Sequence, residues 1–178
     1  AAAFVRNQLY VFGGGRPGEQ TTLVEYYDAS IDRWVQGPEL RSPRYALGGA
    51  VLDNNNSIYA VGGYDGQEYL ATVERLDPRE GRWMPVTSMS MARGGHACAA
   101  HESMIYSIGG YCSESGIYEC EVYDARANAW MPISGLSECR SYGASVSLGN
   151  GDVLAIGGLG SDMQTPAPLL EKYSPVTA

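Results

Sequence analysis

The sequence predicts an all-β protein made of consecutive four-stranded antiparallel blades, the architecture of a β-propeller. Three observations predict it. Four double glycines, Gly13-Gly14, Gly62-Gly63, Gly109-Gly110 and Gly157-Gly158, recur at intervals of 49, 47 and 48 residues. Each closes a short apolar run (residues 9–12, 58–61, 104–108 and 153–156), and such a run without polar alternation reads as a strand covered on both faces. Other marks keep step. Twelve residues after the first glycine of the first three pairs stands a glutamate (Glu25, Glu74, Glu121). Nine further on is a tryptophan (Trp34, Trp83, Trp130), and ten beyond that an arginine (Arg44, Arg93, Arg140). A period of this length is the signature of stacked supersecondary units, each unable to bury its apolar faces alone.

Each period divides into four strands. The first follows the arginine and is small and glycine-rich, as in residues 46–52 and 95–100. Small side chains suit the crowded axis where blades converge. The second strand is the apolar run ending in the glycine pair, which lets backbone approach a neighbour where a Cβ would collide. The third carries the glutamate, as in residues 72–77, and the fourth starts at the tryptophan, as in residues 82–86. Turn-forming residues fill 77–81 and 124–128 between them. The chain therefore reads as one segment, 1–178, with repeats at about 1–44, 45–93, 94–140 and 141–178. The first and last are expected to be incomplete. Aligning Tyr10 with Tyr106 places Ala1 inside a first strand, and the fourth tryptophan is expected two positions past Ala178.

Composition narrows the function. The chain has 23 Gly, and 13 Tyr against 2 Phe, which favours short strands and tight turns over long helices. Its net charge is −8 and its single lysine is Lys172, so it gains little from a phosphate backbone, and no nucleic-acid partner is expected. No stretch approaches the roughly 18 apolar residues that cross a bilayer, so no membrane partner is expected either. Cys98, Cys112, Cys120 and Cys139 form no Cys-x-x-Cys pair and read as reduced thiols of a cytoplasmic protein. His96 and His101 lie an odd number of positions apart, which turns them to opposite faces of one strand. No metal site, cofactor or catalytic group is expected, and the chain does not read as an enzyme. Asn55-Asn56-Ser57 is a formal glycosylation sequon placed in a turn between strands.

The apolar run, the glycine pair, the third strands Glu25-Tyr26-Tyr27-Asp28 and Glu121-Val122-Tyr123-Asp124, and the tryptophan together resemble the Kelch repeat. Residues 58–67 and 73–78 of the second repeat are most similar to those of the BTB–Kelch (kelch-like) adaptors. The chain departs from the pattern at Leu76, at Ser174 and in the fourteen-residue step from Gly157 to Glu171. The resemblance implies a six-bladed propeller of which about four blades are present. It also implies a protein-interaction module that recruits a substrate for a cullin-RING ubiquitin ligase, reaching the cullin scaffold through domains outside these residues. A cytoskeletal or scaffolding Kelch protein and a Kelch-type metal-dependent enzyme are the alternatives.

The glycine pairs and tryptophans recur because every blade fills the same gaps, so they read as structural, as do Arg44, Arg93 and Arg140. Function belongs where the periods differ. Two loop sets vary, one after each glycine pair and one between the tryptophan strand and the arginine. The first set includes Arg16, Tyr64, Tyr69, Tyr111, Glu114 and Asp162; the second includes Arg41, Tyr45, Ser141 and Tyr142. By the resemblance both sets open on one face and grip peptides, with Tyr64, Tyr111 and Ser141 at the family's contact positions. Gly15 and Leu159 stand where the first and fourth repeats lack that tyrosine. The partner-binding set is therefore Tyr64, Tyr111, Ser141, Tyr142, Arg41, Arg16 and Tyr45, and the expected ligand is an acidic, turn-forming peptide.

Overall fold

The computed structural model describes residues 1–175 apart from Pro17, Glu114 and Pro168. Among these residues there is no helix, and none long and apolar enough to cross a membrane. The chain divides into two compact units, Ala1–Gly94 and Gly95–Ala178, and each holds two blades.

In the first unit, blade one is β1 (Ala2–Val5), β2 (Gln8–Phe12), β5 (Val24–Asp28) and β6 (Arg33–Gln36), with the short hairpin β3 (Gly15–Arg16) and β4 (Glu19–Gln20) rising from the β2–β5 connection. Blade two is β7 (Gly48–Leu52), β8 (Ser57–Val61), β9 (Val73–Asp77) and β10 (Arg82–Val86). In the second unit, blade three is β11 (Ala97–His101), β12 (Met104–Ile108), β15 (Cys120–Asp124) and β16 (Ala129–Ile133). Its own short hairpin is β13 (Tyr111–Cys112) and β14 (Ser115–Gly116). Blade four shows three strands, β17 (Ala144–Ser147), β18 (Val153–Ile156) and β19 (Leu170–Tyr173). Every pairing is antiparallel and in sequence order, and one register repeats. The tryptophan of the fourth strand faces the residue two after the glutamate, as in Trp34↔Tyr27, Trp83↔Leu76 and Trp130↔Tyr123.

The two blades of each unit bury their facing sides together. In the first unit, Ala3, Tyr10, Phe12, Val24 and Leu40 pack against Ile58, Ala60, Leu76 and Trp83. Trp83 is 2 % exposed, lies 5.5 Å from the Phe12 ring, and donates its indole N–H to the Pro38 carbonyl at 2.8 Å. Its volume and its polar edge are thus both satisfied. In the second unit the matching cluster is Ala99, Tyr106, Ile108 and Cys120 against Val153 and Ala155.

Burial of both faces of the apolar run holds fully for β8, where all five residues are buried. In β2 it holds for one face only. Tyr10 and Phe12 are covered by blade two, while Leu9 and Val11 are 38 % and 39 % exposed. Trp34, on the same side as Leu9 and Val11, is 49 % exposed, because no described residue covers it as Phe12 covers Trp83. The glycine pairs bend as their role requires. A Cβ on Gly63, at φ +103°, would sit 2.8 Å from the Tyr45 carbonyl, and one on Gly158, at φ +95°, 2.6 Å from that of Ser141. The second glycine of a pair donates its N–H to the carbonyl of the arginine closing its repeat, at 2.8 Å in Gly14→Arg44, Gly63→Arg93 and Gly110→Arg140.

Candidate recognition loops and the latches beneath them

The loops stand on buried arginines. The side chain of Arg44, wholly buried, donates to the carbonyls of Gly62 (3.0 Å) and Thr72 (3.1 Å), to the Thr72 hydroxyl (3.2 Å) and to Glu74 (2.7 Å). Glu74, 3 % exposed, also accepts the N–H of Arg41 at 2.8 Å. The second unit repeats the arrangement. Arg140 donates to the Gly157 carbonyl and, at 3.0 Å, to Glu171, which accepts the N–H of Ser137 at 2.7 Å. An arginine that ends one repeat is therefore latched to the glutamate of the next, and that glutamate also holds the loop leading back to the arginine. Burial pushes the Arg44 guanidinium below its ordinary range, and Glu74 partly restores it. For Glu171 burial works upward, but the Ser137 N–H and Arg140 outweigh it and hold the carboxyl below its usual range.

Above each latch the two loop sets join in a small ladder. In the first unit Tyr64 bridges to Tyr45 on one side and to Tyr69 on the other, and the Tyr45 and Tyr64 backbones exchange hydrogen bonds of 3.0 and 2.9 Å. The three rings meet edge to face, with centroids 5.6 Å apart for Tyr45–Tyr64 and 4.9 Å for Tyr64–Tyr69. The corresponding ladder of the second unit is Ser141, Leu159 and Pro166. The backbone is the same and the side chains are different.

Turn carboxylates shape the loop tips. Asp65 accepts the N–H groups of Gln67 and Glu68, both at 2.8 Å, and these hold its carboxyl below the usual range. Asp162 accepts the Thr165 hydroxyl and the N–H groups of Thr165 and Gln164, and is held down to about 2.

Of the residues singled out from the sequence, Tyr45 and Tyr64 come together, joined by Tyr69. Arg41 is exposed on its loop. Arg16 is exposed too, but it forms a two-pronged pair with Glu19 at 2.8 and 2.7 Å across the β3–β4 hairpin. Tyr111 is half-buried at the start of β13. Ser141 is fully buried beneath the loops, where its hydroxyl donates to the Gly110 carbonyl at 2.8 Å. Tyr142 is 56 % exposed and adopts φ +55°, a left-handed conformation uncommon for a bulky side chain. Its ring lies over Gly95, where a Cβ would be 3.1 Å from two ring carbons. The same left-handed position recurs at Ala46 and Gly95, each two residues past its arginine. Only the glycine among the three hints at it in the sequence. Glu114 lies outside the described residues.

Other candidates resolve plainly. Asn55 donates to the Tyr59 hydroxyl and accepts the Ser57 N–H, both at 3.0 Å, and Ser57 is fully buried, so the sequon is folded into its turn. None of the four cysteines is joined in a disulfide. Among the described residues no three His, Cys, Asp or Glu side chains form a group that could hold a metal ion.

Residues 1–167 match the family described as the KLHDC2/KLHL20/DRC7 Kelch-repeats domain. The chain belongs to the Kelch-repeat family. Among curated proteins it is similar to mouse Kelch-like protein 23, 33 % identical over 94 residues, which are 52 % of this Kelch chain and 16 % of that protein. It is also similar to rat Kelch repeat and BTB domain-containing protein 8, 32 % identical over 108 residues (54 % and 18 %), and to human Kelch-like protein 4, 40 % identical over 75 residues (42 % and 10 %). The matched region thus spans less than a fifth of each relative. One of these relatives is named for a BTB domain beside its Kelch repeats.

Proposed function

We propose that this Kelch chain is a protein- or peptide-recognition module, with the loops above the arginine latches as its contact surface. We further propose that it serves a cytoplasmic cullin-RING ubiquitin ligase by presenting a substrate. One observation carries the recognition reading. The Arg44–Glu74 and Arg140–Glu171 latches repeat, each arginine bonding a glycine carbonyl and the glutamate of the next repeat, whereas the ladders above them change from Tyr45–Tyr64–Tyr69 to Ser141–Leu159–Pro166. A constant scaffold under variable tips, aromatic in the first unit, is how a repeat protein presents a binding surface. Tyrosine there offers broad contact, a polar tip and little conformational freedom to lose. The ligase role is supported by the kelch-like relatives, one of which is named for a BTB domain. An acidic peptide is the favoured ligand because Arg41 is exposed on these loops, while Arg16 would have to exchange Glu19 for it.

The test is affinity capture from cytosol with the wild-type chain and with Tyr64→Ala and Tyr111→Ala, followed by titration of each captured protein. Loss of a central aromatic anchor costs about 2 kcal/mol. A true partner should therefore bind each variant at least about tenfold more weakly, while thermal unfolding barely moves. Normal binding by both variants, or unfolding of both, would place the surface elsewhere.

A further inference from the structure

A cleft of about 750 Å³ lies between blades one and two, and neither Arg41 nor the Tyr45–Tyr64–Tyr69 ladder lines it. The turn between β1 and β2 brings Arg6 to one lip, and the turn between β9 and β10 brings Pro78 and Arg79 to the other. Both turns stand at the strand ends opposite those that lead into the recognition loops. The wall is aromatic and apolar. Tyr10 and Tyr26, with ring centroids 5.4 Å apart, share it with Pro38 and Leu76. Two guanidinium groups thus reach the cleft, one from each blade, and no carboxylate side chain among the described residues lines it, although the chain carries a net charge of −8.

The two arginines are set differently. Arg79 is positioned by Asp77, whose buried carboxylate accepts its Nε–H at 3.0 and 3.2 Å and one Nη at 2.6 Å, while the arginine side chain stays 62 % exposed. A guanidinium has more N–H groups than this pair consumes. Arg6 is exposed and forms no ion pair among the described residues, so the cleft keeps one uncompensated positive charge after Asp77 is counted. The repeat does not require this character. One repeat pair further on, the positions of Arg6, Tyr26 and Gln36 hold Glu102, Val122 and Pro132. The local charge reverses with them. Burial and Tyr26 raise the Tyr10 hydroxyl above its ordinary range and Arg6 works against them, whereas at Tyr106 burial, Tyr173 and Glu102 all act upward. Residues that differ where the scaffold repeats are where function belongs.

We infer that this cleft is a second binding site and that its occupant is a phosphotyrosine side chain of a partner polypeptide. A phosphate monoester carries a charge of about −1.5 to −2 near pH 7 and three acceptor oxygens. It therefore uses the forked donors of Arg6 and Arg79 together, where a carboxylate would use one fork and offer one charge. The Tyr26 hydroxyl, which makes no hydrogen bond among the described residues, supplies a further donor. The aromatic stem lies against the rings of Tyr10 and Tyr26 and against Pro38. Phosphoserine lacks that stem, so it can reach the arginines only by leaving the wall bare. The site is separate from the recognition loops and does not rest on their role.

The test titrates a capped Gly-Gly-Tyr-Gly-Gly peptide, phosphorylated on its tyrosine, into the isotope-labelled 178-residue chain. The expected result is a shifted phosphorus resonance, amide shifts at residues 6–10, 26 and 78–81, and at least tenfold weaker binding of the unphosphorylated peptide. Peptides with phosphoserine or glutamate in place of the phosphotyrosine should also bind at least tenfold more weakly. Arg6→Asn suits the left-handed turn at φ +51°, so it should weaken binding at least tenfold with thermal unfolding unchanged. Tyr64→Ala should leave the binding as it is, which separates failure of this site from failure of the recognition loops. Equal binding of the phosphorylated and unphosphorylated peptides would overturn the proposal, as would no binding at millimolar peptide or shifts confined to the loops. Equal binding of the glutamate peptide would assign the cleft to carboxylates, and equal binding of the phosphoserine peptide would show that the wall reads no ring; either would overturn it as well.

Discussion

Trp83 and Trp34 hold the same place in successive repeats, and the structure predicts very unequal consequences for removing them. Trp83 is 2 % exposed, packed on Phe12, and bonded to the Pro38 carbonyl. Trp83→Ala would forfeit a large buried ring and leave a cavity between two blades, for about 3–5 kcal/mol. It would also strip Pro38 of its donor, for about 1 kcal/mol more. Trp34 is 49 % exposed, with Tyr27 at 5.7 Å as its ring neighbour. Full burial of a large apolar side chain is worth about 1.5–3 kcal/mol. Half of that, without a cavity, gives about 1 kcal/mol for Trp34→Ala. Urea unfolding followed by far-ultraviolet circular dichroism would measure the pair. With a slope of about 2 kcal/mol per molar, the midpoint should fall by about 2–3 M for Trp83→Ala and about 0.5 M for Trp34→Ala. Equal shifts would refute the reasoning, because they would mean that the repeat position, and not the neighbouring blade, sets the contribution.

Further outcomes follow from the latches and turns. Arg44→Met should cost about 3–5 kcal/mol in the same urea assay, because Glu74 would remain buried with the Arg41 N–H as its described donor. Pairing that change with Glu74→Leu should recover part of the loss, and no recovery would mean that the carbonyl bonds of Arg44 matter more than the ion pair. The Asp162 carboxyl, held at about 2 against an ordinary 3.8, should stabilise its turn fully above about pH 4 and lose that effect as pH falls towards 2. A carbon-detected titration of Asp162 with a midpoint at or above 3.8 would remove the basis for this, and Asp162→Ala should abolish the pH dependence of that turn.

Much of the fold was legible because each blade solves one packing problem with the same residues. The glycine pairs, Trp83 and the third-strand glutamates all fell at the predicted places, since sequence spacing maps directly onto strand length. The β3–β4 and β13–β14 hairpins were not legible, because two-residue strands have no periodicity to read. The latch partners were hidden for another reason. Arg44 reaches a glutamate thirty residues onward in the next repeat, and no local pattern distinguishes that from a pairing within its own period. In the loops the aromatic meeting of Tyr45, Tyr64 and Tyr69 could not be seen in advance, nor the burial of Ser141. Both depend on which side of a ladder a side chain faces, and Ser141 and Tyr45 share a repeat position yet differ in exposure. The left-handed turn at Tyr142 had no glycine to announce it.

The latch connecting one repeat to the next sets a rule for how such a chain can change over evolutionary time. A duplication or deletion of one whole period joins an arginine to an equivalent glutamate and leaves every latch intact. A crossover that removes the arginine without its glutamate, or the glutamate without its arginine, strands the other inside the protein. The residues between glycine pair and glutamate are under no such restriction, since Gly63 and Arg44 fix only the ends of that loop. Binding surfaces can thus diversify loop by loop, while the scaffold gains or loses length only in whole blades.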